Sequence, residues 1–126
     1  MATVSALLLI LILVALTVFQ LALVFGAPLG RFAWGGQHRV LPTSLRLGSL
    51  SSLVIYALIG AIVAARADLV GVAVSDGVVR VAAWVVAAYF LVGVGLNAAS
   101  RSLPERNLMT PLCVVLCLLA VGVASG

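Results

Sequence analysis

Four long apolar blocks dominate this sequence and limit what it can fold into. They lie at about residues 5–26, 48–66, 79–99 and 108–124, and none has a charged residue in its middle. A helix needs roughly 20 residues to cross a bilayer core of about 30 Å. Each block meets or approaches that length, so the sequence predicts four transmembrane helices.

The overall composition places the chain in the same class. Of its 126 residues, 65% are hydrophobic and 8% are charged, which is more apolar surface than a soluble domain of this size encloses. Lipid must therefore cover the remainder. We expect an all-α integral membrane protein in which residues 1–126 form a single four-transmembrane-helix bundle.

The charged residues lie in the segments that join the blocks, and they set the expected orientation. Loop 1 joins the first two blocks, loop 2 the next pair and loop 3 the last pair. The seven basic residues are all arginines, divided among loop 1 (Arg31, Arg39, Arg46), loop 3 (Arg101, Arg106) and the margins of loop 2 (Arg66, Arg80). Because arginine is enriched in cytoplasmic loops, this distribution predicts that loops 1 and 3 are cytoplasmic and that both termini are outside. Charges placed this way suit anionic lipid headgroups, and we expect no nucleic-acid partner.

The segment 26–42 in loop 1 is the longest stretch that is not mostly aliphatic. Its aromatic and basic side chains suit the membrane interface, and the glycine pair suits a tight turn. We expect the following loop 1 residues to contact lipid or an anion: Arg31, Trp34, Gly35, Gly36, His38, Arg39 and Arg46. They act either as an anchor on anionic headgroups or, if the glycine amides are exposed, as a specific phosphate site.

Polar residues inside the spans are the second candidate site, because an unpaired polar group is costly in hydrocarbon. They are Gln20, Tyr56, Tyr89 and Asn97. The simpler interpretation is that they form interhelical hydrogen bonds that hold the bundle together. The alternative is that they line a shallow intramembrane pocket closed by loop 1. Carboxylates are absent from the predicted spans, which argues against proton coupling through a membrane-buried acid.

The sequence has no pattern typical of an enzyme. Cys113 and Cys117 lie four apart, which is not the C-x-x-C spacing of a redox pair, and His38 is the only histidine. We find no Ser-His-acid set and no cluster with metal-ligand spacing. We therefore expect no catalytic site, no metal and no cofactor.

Capping signals mark several of the helix boundaries. Gly26 followed by Pro28 is typical of a helix end, and Ser75 or Asp76 suits the start of the third helix. The stretch Ser102-Leu103-Pro104-Glu105 matches the capping-box pattern, in which the serine and glutamate side chains bond reciprocally to backbone amides. We therefore expect the fourth helix to begin before its apolar block.

Small residues at helical spacing predict close helix packing. They are Ser49, Ser52, Gly60 and Ala64 in the second span, and Ala83, Ala87, Gly95 and Ala99 in the third. Whether these faces meet within one chain or between chains is left open by the sequence. A homodimer or a larger membrane complex is therefore among the expected partners.

The order of the loop motifs resembles that of small uncharacterised four-transmembrane-helix proteins of GC-rich bacteria. The resemblance covers most of the chain and rests on Gly26, Pro28, Gly30, Trp34, Gly35, Gly36, Leu41, Pro42, Asn97, Ser100, Arg101, Ser102, Glu105 and Arg106. It implies a multi-pass protein of the bacterial inner membrane and brings no activity. Small multidrug resistance transporters share the size, but this chain has Gln20 where their first helix has a glutamate. Short flippases of the GtrA type share the layout without their N-terminal pattern.

Two functions of different class follow from these observations. The first is a structural or accessory bundle that contacts lipid or forms part of a membrane complex. The second is a small dimeric carrier of a lipid-linked or amphipathic substrate. A closed, dry bundle would favour the first, and a polar cavity that reaches the midplane would favour the second.

Overall fold

The computed structural model describes residues 2–126, and within that range the chain is all-helical. The helices are α1 (Ala2–Val24), α2 (Thr43–Arg66), α3 (Asp76–Ala98) and α4 (Leu103–Ser125). Each of them is long and apolar enough to cross a membrane. The protein is therefore a four-helix membrane bundle, as its composition predicts.

The helices share one apolar core and present most of their apolar surface outward. α1 packs against α2 and α4, and α3 packs mainly against α4, whereas α2 and α3 contact each other less extensively. Core side chains come from all the helices and include Leu9, Leu13, Ile59, Val86, Phe90 and Leu116. Only 17–22% of the most apolar stretch of each helix is buried in the chain. Such a large exposed apolar surface requires lipid around it.

Two helices begin well before their apolar blocks. α2 starts at Thr43 and α4 at Leu103, whereas the apolar blocks begin at about 48 and 108. Helical hydrogen bonds do not depend on apolar side chains, so the backbone remains helical into the headgroup region. Arg46, which we expected in loop 1, consequently lies in the first turns of α2.

Glycine ends α1 in the way that the sequence indicates. Gly26 has a positive φ of 89°, and its amide donates to the carbonyl oxygen of Leu23 at 3.1 Å. The next amide, of Ala27, donates to the carbonyl of Ala22 at 2.9 Å. This pair of bonds is a Schellman motif, which satisfies carbonyls at the end of the helix. It turns the chain sharply into loop 1, residues 25–42.

The capping-box interpretation of α4 is wrong in its hydrogen bonds. Ser102 is the N-cap residue by position, but its hydroxyl donates to the carbonyl of Arg31 in loop 1 at 2.6 Å. The amide of Ser102 donates to the Ser100 hydroxyl at 3.1 Å, so that hydroxyl takes the place expected for Glu105. Loop 1 and loop 3 are thereby tied together. Glu105 takes no part in the cap.

The small residues are divided between the interior and the outer surface. Ala83 and Ala87 are buried, and the Cys117 thiol donates to the carbonyl of Ala87 at 3.6 Å across the α3–α4 interface. Gly95, two turns further along α3, and Ala99, directly after its last residue, are exposed. The first pair therefore serves packing within the chain, and the second pair faces outward.

Arg66, the last residue of α2, forms hydrogen bonds with the end of α4. Its Nε and one terminal nitrogen lie 3.3 and 3.1 Å from the carbonyl oxygen of Ala124, and the same terminal nitrogen donates to the carbonyl of Gly126 at 2.8 Å. A cation at the carbonyl end of a helix is also favoured by the helix dipole. Ser75 caps α3 at the same end of the bundle by accepting from the amide of Val78 at 3.4 Å.

Candidate functional site

A cleft of about 330 Å³ lies between the helices at the loop 1 end of the bundle. It is lined by residues of all the helices and by Phe32, Ala33 and Trp34 of loop 1. The intramembrane polar residues that the sequence singles out all contribute to its lining: Gln20, Tyr56, Tyr89 and Asn97. The fold therefore brings these residues to one place.

The cleft reaches from loop 1 to the middle of the bundle and is open along α3. Asn97 lies near the end of α3, and Tyr89 is eight residues, about 12 Å of helix, deeper. The lining side chains Tyr89, Val92 and Leu96 are 45%, 62% and 71% exposed. In a membrane this open side faces acyl chains, because α3 presents its apolar residues to lipid there.

One wall of the cleft carries a hydrogen bond between α1 and α2. Gln20 Nε2 donates to the hydroxyl oxygen of Tyr56 at 3.4 Å, which is long for such a bond. Gln20 is only 9% exposed, and its Oε1 has no hydrogen-bond partner anywhere in residues 2–126. The amide is thus partly satisfied and leaves a buried acceptor in the lining.

Asn97 and Cys113 connect the opposite wall. Asn97 Nδ2 donates to the carbonyl of Gly93 on its own helix at 2.8 Å and lies 3.2 Å from the Cys113 sulfur of α4. A Cβ placed on Gly93 would lie 3.4 Å from that sulfur, which is ordinary contact. The absence of a side chain at this position therefore helps to keep the cleft open.

Glu105 is a lining residue that the sequence analysis did not select. Glu105 precedes the predicted fourth span, 108–124, and lies in the first turn of α4, where it is 7% exposed and lines the cleft. Its Oε2 is buried and accepts no hydrogen bond from any residue in the described range, 2–126. The capping role expected for Glu105 is wrong, because the amide of Ser102 donates to the Ser100 hydroxyl instead.

A signal for Glu105 was present in the spacing of α4. Met109, Leu112 and Leu116 follow it at intervals of four, three and four residues, and all of them line the cleft. Residues at these intervals share one face of a helix. The apolar face of α4, extended backward by one turn, would have placed the carboxylate toward the interior.

Trp34 is the loop 1 residue that closes the cleft. Its backbone has φ 53°, in the left-handed region that costs a non-glycine residue about 1–2 kcal/mol. The indole Nε1 donates to the hydroxyl of buried Ser49 at 3.0 Å, and the ring lies against Gly48. These contacts hold the loop in place. Ser49, which the sequence suggests for packing between helices, is thus in contact with the Trp34 indole of loop 1.

The predicted lipid or anion contacts of loop 1 differ in their exposure. Arg31, His38 and Arg39 are exposed, whereas the Arg46 Nε donates to the carbonyl of Leu41 at 2.8 Å. The loop is nevertheless well folded, since the Gly30 amide donates to the carbonyl of Arg39 at 2.9 Å.

The glycine pair performs the turn that the sequence predicts. Gly35 and Gly36 have φ of 79° and 70°. The Gly36 amide donates to the carbonyl of Ala33 at 2.9 Å, and a Cβ at Gly36 would clash with Ser102. In this conformation Gly36 serves the contact between loops 1 and 3, and its amide is not available to a phosphate.

No family model, curated protein or solved structure matches the chain. The site is therefore interpreted from its own residues. Its open side is apolar, and its closed end near loop 1 carries a carboxylate and an amide oxygen. That combination suits a molecule with a small polar head and an apolar tail.

A second hollow, of about 350 Å³, lies at the loop 2 end, and its chemistry differs. Arg66, Asp68, Asp76 and Arg80 line it, so charges of both signs lie side by side. Asp68, Asp76 and Arg80 are exposed, and Arg66 already bonds to α4. This hollow is therefore a solvated charged surface, and the cleft beside loop 1 is the stronger candidate.

Proposed function

We propose that this protein binds an amphipathic or lipid-linked molecule in the cleft and acts as a small membrane carrier for it. The observation that carries the proposal is a half-open cleft whose lining residues Gln20 and Glu105 each have a buried oxygen without a hydrogen-bond partner in residues 2–126. Of the functions considered from the sequence, the carrier is the one that uses such a cavity.

The size of the cleft supports a headgroup as its occupant. Ligand pockets commonly measure about 300–1,000 Å³, so a cleft of about 330 Å³ lies at the small end of that range. It has room for a headgroup and the first part of a chain. The remaining chain would leave along the exposed apolar side chains of α3 and lie among the lipids.

The energetics of the lining support the same function. A buried acceptor without a partner destabilises a fold by about 1–3 kcal/mol, and the cost is not reduced by lipid. A bundle with a purely structural role gains nothing from such groups, and apolar residues would serve it better. A bound ligand that donates hydrogen bonds to Gln20 and Glu105 would offset their cost.

The proposal is for binding and not for catalysis. The only histidine, His38, is exposed in loop 1 and lies outside the cleft lining. We propose that the protein resides in a bacterial inner membrane, with loop 1 and the closed end of the cleft on the cytoplasmic side. The arginine distribution supports that orientation.

An accessory role in a membrane complex is the second candidate, and one observation favours it. Gly95, near the end of α3, and Ala99, directly after it, are exposed at a spacing that lets another helix approach closely. A second copy of the chain or another membrane subunit would fit that face. This candidate makes no use of the cleft.

A matched pair of glycine substitutions separates the two candidates. Gly93→Leu places a side chain in the cleft beside Cys113, whereas Gly95→Leu, on the same helix, places it where a Cβ meets nothing within 4 Å. Binding is followed through the fluorescence of Trp34, which lines the cleft, in a Trp84→Phe background. The protein is reconstituted in nanodiscs and titrated with dodecyl amphiphiles that carry ammonium, trimethylammonium, sulfate or maltoside heads.

We expect a saturable fluorescence change with at least one amphiphile, lost in Gly93→Leu and retained in Gly95→Leu. Both variants should be at least as stable to heat as the parent, because replacing a helical glycine stabilises the helix. The carrier proposal fails if no amphiphile gives saturation in the parent, or if Gly93→Leu binds as the parent does. Loss of a co-purifying subunit in Gly95→Leu alone would favour the accessory role.

A further inference from the structure

We infer that the headgroup bound in the cleft is an amine cation that carries N–H donors, and that Glu105 accepts it. The inference rests on the proposed binding function and specifies its ligand class. It separates an ammonium headgroup from anionic headgroups and from quaternary ammonium groups, which have no N–H.

The charge of the cleft comes from a single side chain. Among the residues of the range 2–126 that line it, Glu105 is the one of the Asp, Glu, Lys, Arg or His types. It is 7% exposed, so nine-tenths of its surface is removed from solvent. Its place in the first turn of α4 lies at the positive end of the helix dipole, which favours a negative charge there.

The Glu105 carboxylate does not cap α4, and its Oε2 accepts no hydrogen bond from residues 2–126. The cap that the sequence pattern assigns to Glu105 is made by Ser100, and Ser102 is bonded to loop 1. Arg31 of loop 1 stacks on the lining residue Phe32, with Cζ 4.9 Å from the ring centre, and its side chain is exposed. A buried carboxylate oxygen without a hydrogen-bond partner in residues 2–126 therefore belongs to a residue that lines the cleft.

The other polar and aromatic groups select the same chemistry. Gln20 Oε1 is a second buried oxygen without a partner in residues 2–126, and like the carboxylate it accepts hydrogen bonds and donates none. Aromatic rings, which attract cations through their faces, line the same cleft: Phe32, Trp34, Tyr89 and Phe90. Two acceptors and an aromatic wall suit an ammonium with N–H groups, and they repel phosphate or sulfate.

The test compares three probes that differ only in the head. Dodecylammonium, dodecyltrimethylammonium and dodecyl sulfate are titrated into the protein in phosphatidylcholine nanodiscs, with Trp34 fluorescence as the readout. Charge-assisted hydrogen bonds are worth about a tenfold change in affinity or more. We expect dodecylammonium to bind about tenfold or more tightly than dodecyltrimethylammonium, and dodecyl sulfate to show no saturation.

The matched variants are Glu105→Gln and Asp68→Asn. Each replaces a carboxyl group by an amide and keeps the side-chain shape, but Asp68 is exposed in loop 2 at the far end of the bundle. Glu105→Gln is expected to weaken dodecylammonium binding about tenfold or more and to abolish the preference over dodecyltrimethylammonium. Asp68→Asn is expected to leave both unchanged.

The outcomes separate this inference from the proposed function. Saturable binding that is lost in Gly93→Leu, but shows no preference for dodecylammonium, overturns the amine assignment and leaves the carrier standing. Unchanged binding in Glu105→Gln also overturns the assignment. If Glu105→Gln fails to fold, the headgroup preference of the parent protein decides. Absence of saturable binding for all probes overturns both proposals.

Discussion

The contact between the indole of Trp34 and α2 gives the sharpest test of how loop 1 closes the cleft. Gly48 lies directly under the ring: a Cβ at this position would be 2.8 Å from Cζ2 and 2.9 Å from Cη2 of Trp34. The ring cannot remain in place if that Cβ is added. Gly48→Ala must therefore displace the indole and stretch its 3.0 Å hydrogen bond to Ser49.

The magnitude follows from two opposing effects. Replacing a helical glycine by alanine stabilises a helix by about 0.5–1 kcal/mol, and inserting a methyl group into a packed contact destabilises by about 1–3 kcal/mol. Gly60, on the same helix, meets nothing within 4 Å, so Gly60→Ala has only the first effect. We expect Gly48→Ala to be less stable than Gly60→Ala by about 1–3 kcal/mol.

The assay is reversible unfolding in mixed micelles, with Trp34 fluorescence recorded in a Trp84→Phe background. Gly48→Ala should shift the Trp34 emission, because the indole loses its contact with α2, whereas Gly60→Ala should not. Equal free energies of unfolding for the two variants, together with unchanged emission, would refute the placement of Trp34 on α2.

Three further predictions concern the rest of the molecule. With the native cysteines removed, Gln37→Cys and Gly71→Cys should be labelled from opposite sides of intact cells, and labelling of Gly71→Cys from the cytoplasm alone would reverse the orientation. Arg66→Met removes the hydrogen bonds from the guanidinium to the end of α4 and should lower the free energy of unfolding by about 1–3 kcal/mol. An unchanged free energy of unfolding would show that those bonds do not stabilise the bundle. Gln20→Leu loses only a long hydrogen bond to Tyr56 and removes an acceptor without a partner in residues 2–126. Its free energy of unfolding should therefore change by no more than about 1 kcal/mol, whereas dodecylammonium binding should weaken. Unaltered dodecylammonium binding in this variant would show that the Gln20 amide does not contact the ligand.

Much of the fold could be predicted from the sequence, because it depends on local physical chemistry. Four apolar blocks of helical length require four helices in lipid, whatever the details of their packing. Gly26 ends α1 because glycine readily adopts a positive φ, and Ser75 begins α3 because its hydroxyl accepts a hydrogen bond from the amide of Val78. Both effects act within one turn of the chain. The positive φ angles of Gly35 and Gly36 follow from the same local rule.

The candidate site could be predicted only in part. Gln20, Tyr56, Tyr89 and Asn97 are conspicuous in the sequence because polar groups in apolar spans are costly, and the fold brings them to one cleft. Glu105 was missed because its pattern with Ser102 describes a satisfactory local cap. The capping-box pattern thus gave a local explanation for Glu105, although its side chain is buried in the bundle.

Contacts between distant segments decided the rest. Ser102 bonds to Arg31, which is 71 residues away, and this bond together with Ser100 withdraws Glu105 from the helix cap. Trp34 is held by Gly48 and Ser49 of another helix, although its own residue type does not favour the left-handed backbone that it adopts. Apolar periodicity and capping preferences describe single helices and their ends. Which donors and acceptors remain for the cleft depends on hydrogen bonds that form only after the helices and loops have packed together.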